Sequence, residues 1–191
     1  MLETLKNPRG LSRKTSRDVT IDNQQVSSTE LAWLAGLLDG EGTINISRKP
    51  TGKRKDGSIV CNYWVFVQFV NTNEEVMTKV IDLQTRLGAK PYVWHKPPAK
   101  TTHRAAIQTC VQNMGKAEKI LRPILPYLVG KKRHAELVLS FIEERKATGG
   151  RGKYNPYSKD QMGMIDEIKR LNFRGNLRDF VPESKRNAPT R

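Results

Sequence analysis

Residues Leu31 to Gly42 read LAWLAGLLDGEG, eight apolar or small positions that run into two carboxylates separated by one glycine. Ser27, followed three residues later by Glu30, is a capping box, which predicts a helix from there to about Asp39 with Gly40 and Gly42 ending it. Leu31, Leu34 and Leu38 lie along one stripe of that helix. Ala32, Gly36 and Gly40 form a second stripe at spacing four that carries almost no side chains. The leucine stripe suits the chain's own core. The small stripe allows another helix to approach at close backbone distance, while a core helix with every contact inside one chain reads equally well from the pattern.

The two carboxylates tip that balance. A helix C-terminus carries partial negative charge, so acids placed there should cost from a few tenths to about 1 kcal/mol, and something positive must compensate. If a second copy of the helix packs against the first, two Glu41 side chains converge beside glycine carbonyls. That is an oxygen-rich site suited to magnesium.

The charge balance points to the partner. There are 34 Lys and Arg against 19 Asp and Glu among 191 residues, a formal +15. This fits a polyanion, and nucleic acid ahead of a membrane surface, because no basic amphipathic helix with a lipid-facing aromatic side is visible. No apolar run approaches the about 18 residues of a membrane span and no apolar signal core opens the chain, so an intracellular setting is expected. Nothing in the sequence chooses between an organelle and a prokaryotic cytoplasm. Cys61 and Cys110 sit in apolar, strand-like runs as small hydrophobes. With His95, His103 and His134 they match no zinc spacing, and no phosphate-binding loop, dinucleotide fingerprint or serine-nucleophile elbow is present. No small-molecule cofactor is expected beyond a metal.

The organisation reads as a basic arm over 1–25, one folded domain over 26–175 and a tail over 176–191. Thr43 to Arg48 alternates, with Ile44 and Ile46 on one face, and predicts a half-buried strand. Lys49 to Ser58 reads as a turn. Ile59 to Val70 is a second strand, with Cys61, Tyr63, Val65, Val67 and Phe69 on one side and Asn62, Trp64, Phe66 and Gln68 on the other; both faces are partly apolar and the facing stays open. A second helix follows from about Asn73 to Gly88, with Val76, Val80, Leu83 and Leu87 as its core stripe. Tyr92 to Lys96 and Arg104 to Val111 make a second hairpin. Helices over Met114 to Leu121, Lys131 to Arg145 and about Lys159 to Leu171 complete the chain, with Pro123 and Pro126 separating the first two. This is an α+β domain, helix-strand-strand-helix-strand-strand-helix, with a short antiparallel sheet.

Leu34 to Gly42, LAGLLDGEG, resembles the signature of the LAGLIDADG homing endonucleases, and the element order over Ser27 to Lys146 is similar to the family's fold. Glu41 stands where the signature has an aspartate and keeps its carboxylate. Family members with one motif per chain act as homodimers, so the single copy implies a homodimer with Ala32, Ala35, Gly36, Asp39 and Gly40 at its interface. The resemblance implies two sheets forming a saddle on a long, roughly palindromic double-stranded DNA site. One phosphodiester in each strand would be hydrolysed with divalent metal, leaving 3′ overhangs.

In such a saddle Thr43, Asn45, Ser47 and Lys49 face DNA from the first strand, because Ile44 and Ile46 claim the core. By the same alternation Asn62, Trp64 and Gln68 belong to that face on the second strand, Trp94 and Lys96 on the third, and Arg104, Ala106 and Gln108 on the fourth. Trp64 and Trp94 admit two roles, packing on sugar or a thymine methyl, or filling the core. Lys53, Arg54 and Lys55 in the basic turn Thr51 to Ser58 offer phosphate contacts, with a solvated hairpin tip as the plainer alternative. Glu41 and the Gly40 carbonyl correspond to the magnesium-holding group. Lys131, in LVGKKRHAELVL, corresponds to a basic residue near the metal. Asn71, with Thr72 or Asn73 as alternatives, stands where relatives often carry a water-positioning glutamine. Two further readings share the scaffold: an RNA-binding intron maturase that cuts no DNA, and a non-catalytic DNA-binding regulator. The carboxylate at Glu41 and the cation at Lys131 favour the enzyme.

Overall fold

Ser27 opens the first helix as the capping pattern predicts: its hydroxyl accepts from the Glu30 backbone N–H at 3.3 Å, and the Glu30 carboxylate accepts from the Ser27 N–H at 2.8 Å. Arg86 donates to the same carboxylate at 2.7 Å, tying the start of this helix to the end of the next and, as the largest influence, holding the Glu30 carboxyl down at about 2. The structure, a computed structural model, describes residues 25–53, 55, 57, 59–98, 104–149, 156–175 and 177–186. The elements are α1 (Ser28–Glu41), β1 (Gly42–Lys53), β2 (Ile59–Asn71), α2 (Glu74–Arg86), β3 (Tyr92–Lys96), β4 (Ala106–Gln112), α3 (Met114–Ile124), α4 (Lys132–Ala147), α5 (Lys159–Leu171) and α6 (Glu183–Arg186). Single 3-10 turns at Leu125–Tyr127 and Leu177–Asp179 precede α4 and α6.

The strands form one antiparallel sheet in the order β1-β2-β4-β3. Alternation sends Ile44, Ile46, Val65, Val67, Phe69 and Val111 to one face, where they are buried with Leu34 and Leu38 of α1, Val80 and Leu83 of α2 and Phe141 of α4. The pairing resolves the facing that the β2 sequence leaves open: Tyr63 through Phe69 alternate into the core, and among the described residues no helix covers the opposite face of the sheet. Where β2 runs beyond β4 its edge is partly closed by Tyr157, whose hydroxyl accepts from the Tyr63 N–H at 3.0 Å.

Several boundaries differ from the sequence expectation. β1 continues through Lys53 instead of turning at Lys49, because Lys49 to Lys53 pair with Ile59 to Asn62. Pro50 is tolerated there because β1 is an edge strand with a register shift between Pro50 and Gly52. β4 begins at Ala106, which leaves Arg104 on the connection before it. The buried stripe of α2 also takes in Met77 and Gln84, while Val76 and Leu87 are only half-buried. α3 accommodates Pro123 and ends at Ile124. The stretch expected as a tail carries structure at 177–186: Glu183 of α6 is buried and ion-paired with Arg48 at 3.4 Å, and the Ser184 N–H donates to Asp166 at 3.1 Å. Of the expected N-terminal arm, 1–24 lie outside the described residues.

Gly40 lies within α1, and Gly42 alone is its cap, donating to the Leu38 carbonyl from extended backbone. A Cβ on Gly42 would stand 2.8 Å from the Leu38 carbonyl oxygen and 2.9 Å from its Cα. The junction between α1 and β1 is closed by the Leu38 backbone as well as its side chain, so a side-chain rotation alone cannot open it. Gly42→Ala is therefore expected to lower stability by about 1–3 kcal/mol. Thermal unfolding checks this; an unchanged Tm would show a junction that opens freely.

Candidate active site and nucleic-acid face

The conflict at the end of α1 is resolved within the chain for Asp39. Its carboxylate accepts backbone N–H groups from Val129 at 2.7 Å, Gly130 at 3.1 Å and Lys131 at 2.7 Å, so it sits at the N-terminus of α4 while ending α1. Partial burial pushes the Asp39 carboxyl upward, but these donors and the Lys131 charge outweigh it and hold it below its ordinary value. A carboxylate with a depressed native pKa stabilises the fold above its unfolded value near ~4 and loses that contribution as pH falls through the native value. Asp39→Asn is expected to cost about 1–2 kcal/mol at neutral pH, with the gap to the wild type closing below about pH 4. Denaturant midpoints across that range check it; a gap independent of pH would assign Asp39 a purely steric role.

Glu41 points elsewhere. It is exposed, and one of its oxygens accepts from Asn71 Nδ2 at 3.0 Å. The Asn71 carbonyl oxygen in turn accepts from the Asn73 N–H at 2.8 Å, so the end of β2 and the start of α2 orient Glu41 through one amide. Asn73 itself is the cap of α2, accepting from Val76, and Thr72 is exposed; among the three candidates, Asn71 is the one that reaches the acid. Lys131 Nζ donates to the Asp39 backbone carbonyl, which brings this cation onto the last turn of α1. Burial lowers the Lys131 pKa; the Asp39 charge opposes that, and nearby Arg174 adds to it. Arg174 is a cation that the sequence pattern did not single out. It follows α5, where Asn172 Nδ2 anchors the chain by donating to the Ile44 carbonyl at 2.9 Å. Glu41, Asn71 and Lys131 thus gather at one end of the sheet.

The residues expected to face DNA share the uncovered sheet face. Cross-strand pairing places Thr43 opposite Gln68, Asn45 opposite Phe66, Ser47 opposite Trp64 and Lys49 opposite Asn62. Trp94 lies opposite Gln108 and Lys96 opposite Ala106. Trp64 and Trp94 are each 42% exposed and do not fill the core; Lys49 Nζ stands 4.0 Å from the Trp64 ring centre. Lys53 and Lys55 are exposed near the hairpin tip, Arg104 is exposed on its loop, and Arg54 lies outside the described residues.

Ala32, Gly36 and Gly40 are exposed, and a Cβ on Gly36 or Gly40 would meet nothing within 4 Å. Among the described residues nothing covers the small stripe. Ala35 is the correction: it is fully buried and packs into the chain's own core, one position around the helix from that stripe. Asp39, only half-buried, is engaged by the 129–131 backbone. Among the described residues no three His, Cys, Asp or Glu converge as a metal cluster, Cys61 and Cys110 are free thiols, and His103 lies outside them.

No protein-family model matches the sequence, and no curated protein matches it. Solved structures do. The homing endonuclease I-CvuI in complex with its target is 24% identical with a TM-score of 0.56, covering 83% of this chain and 90% of that one. The archaeal intron-encoded homing endonuclease I-Vdi141I complexed with DNA is 14% identical at TM-score 0.55, covering 82% and 91%. The LAGLIDADG homing endonuclease I-LtrWI bound to target DNA is 17% identical at TM-score 0.57, covering 84% of this chain but 49% of its own. The α+β fold is that of the LAGLIDADG homing endonucleases.

Proposed function

We propose that the chain is a single-motif LAGLIDADG homing endonuclease that binds a long double-stranded DNA site as a homodimer and hydrolyses one phosphodiester per strand, leaving 3′ overhangs. The observation that carries this is the arrangement at the end of α1: an exposed carboxylate held by Asn71, and the half-buried cation Lys131 bonded to the Asp39 carbonyl of the same turn, at the border of an open polar sheet face. Coverage supports one motif per chain, since the match spans 90% of I-CvuI but 49% of I-LtrWI.

Among the described residues, Glu41 is the carboxylate left free-standing at the end of α1, because Asp39 is turned into the 129–131 backbone. Two chains packed through the Ala32–Gly36–Gly40 stripe would bring two Glu41 side chains and two helix ends together. The Glu41 carboxylates and Gly40 carbonyls are hard oxygen donors that fit magnesium. A bound divalent cation supplies charge neutralisation at the scissile phosphate and activation of the attacking water. Asn71 keeps the Glu41 carboxylate aimed, Lys131 places positive charge where the phosphorane gains negative charge, and the strand face fixes the register of the duplex.

The test is recovery of cleaved sites from a randomised duplex library in magnesium, with a parallel calcium sample. One long, roughly palindromic site, cut in magnesium and only bound in calcium, is expected. Folded protein that enriches no duplex and prefers structured RNA at equal salt would transfer the reading to the maturase.

A further inference from the structure

The uncovered sheet face holds a groove of about 270 Å³. Its floor follows from the register. Phe66 pairs with Gln112, and Cys110 sits between Gln68 and Tyr92, so a ring and a thiol occupy the centre of a row of amides. Trp64 and Trp94 border the floor on either side. Cys110 is buried although it faces away from the helices, shielded by its neighbours on this face, so its thiol adds apolar surface to the floor. Gln108, opposite Trp94, has a buried side-chain oxygen with no hydrogen-bond partner among the described residues.

Charge stands at the rim of this centre. Lys49, at one end of the groove, holds its Nζ over the Trp64 ring, and Lys96 and Arg104 are exposed toward the other hairpin. Arg48, whose strand position alternates with these residues, turns its guanidinium to the other face, where it is ion-paired with Glu183. The cations suit phosphates on both sides of a duplex. The edge of guanine offers two acceptors and calls for Arg or Lys. The edge of adenine offers an acceptor and a donor, which a glutamine amide matches in two bonds, and thymine adds a methyl that seeks apolar contact.

Resting on the reading of this face as a DNA-binding surface, we propose that the groove reads A·T base pairs, with glutamine amides, Gln108 first, on adenine and thymine methyls against Phe66, Cys110 and the flanking tryptophans. The Gln108 oxygen, buried without a partner among the described residues, becomes an acceptor for the adenine amino group when the side chain turns outward.

The experiment uses the full chain in calcium with a duplex selected from random sequence, and replaces each thymine in turn by uracil, which removes only the methyl. A·T pairs are expected at a contiguous block of each half-site. Within that block uracil should weaken binding about three- to tenfold per position, and outside it by less than about twofold. Gln108→Arg should shift one position of the block toward G·C, a gain that a misfolded variant cannot mimic. G·C pairs throughout the contacted positions, or indifference to uracil everywhere, overturns the groove's role while leaving duplex binding intact. Failure to select any duplex, or preference for RNA, overturns both.

Discussion

Glu41→Gln is expected to reduce DNA cleavage at least about a thousandfold while leaving affinity for the selected duplex within about tenfold. The side chain is exposed, so an isosteric change removes no packing, and the Gln carbonyl can still accept from Asn71 Nδ2. What is lost is the negative charge at the end of α1, in both subunits of a dimer at once. The strand face that would contact bases is untouched by the change. Glu41→Asp retains the charge one methylene further back and should keep partial activity, which separates loss of charge from loss of shape. Single-turnover cleavage in magnesium and binding in calcium measure the two quantities separately. Parallel loss of both would make Glu41 a fold or DNA-contact residue, and no loss of cleavage would remove it from the chemistry.

The acid pair shows how far the sequence carries. By the helix-end argument alone Asp39 and Glu41 look alike, two like charges on an unfavourable terminus, and only the motif's resemblance tells them apart. They differ in three dimensions because Asp39 meets the backbone N–H groups of residues 129–131, about ninety positions later, at the start of α4. Helix-end arguments made on one helix cannot include the dipole of another. Among the described residues Glu41 accepts from the Asn71 amide and from no backbone N–H, and it stays exposed. The same logic separates what local pattern reveals from what tertiary contact decides. The capping box at Ser27 is where its spacing puts it, and one between Ser158 and Gln161 opens α5 in the same way, since each depends on residues within one turn. The facing of β2 depends on which face α1, α2 and α4 cover, and an apolar residue on both sides hides that in the sequence. α6 is too short to announce itself by periodicity; it is held by Glu183 on Arg48 and Ser184 on Asp166, pairings across long separations. Arg174 escaped notice for the same reason.

Gly36→Gln carries the second large expectation, because it should move two quantities in opposite directions. Glycine inside a helix is unfavourable, and a Cβ at Gly36 meets nothing within 4 Å of its own chain. The folded monomer should therefore gain up to about 1 kcal/mol from helix propensity alone. The same position is the middle of the uncovered Ala32–Gly36–Gly40 stripe, where a second helix must approach at backbone distance for two Glu41 side chains to converge. A long polar side chain there holds the helices apart. Sedimentation should report a monomer, affinity for a full palindromic site should fall by about a hundredfold as two half-sites lose their linkage, and cleavage should fall further. Ala35→Gly, on the adjacent buried position, should instead cost stability and leave assembly alone. A stable dimer that still cuts after Gly36→Gln would place the subunit contact on another face. A stabilised monomer that no longer cuts would show that the glycine is kept for the neighbour it admits, at a cost to the helix it interrupts.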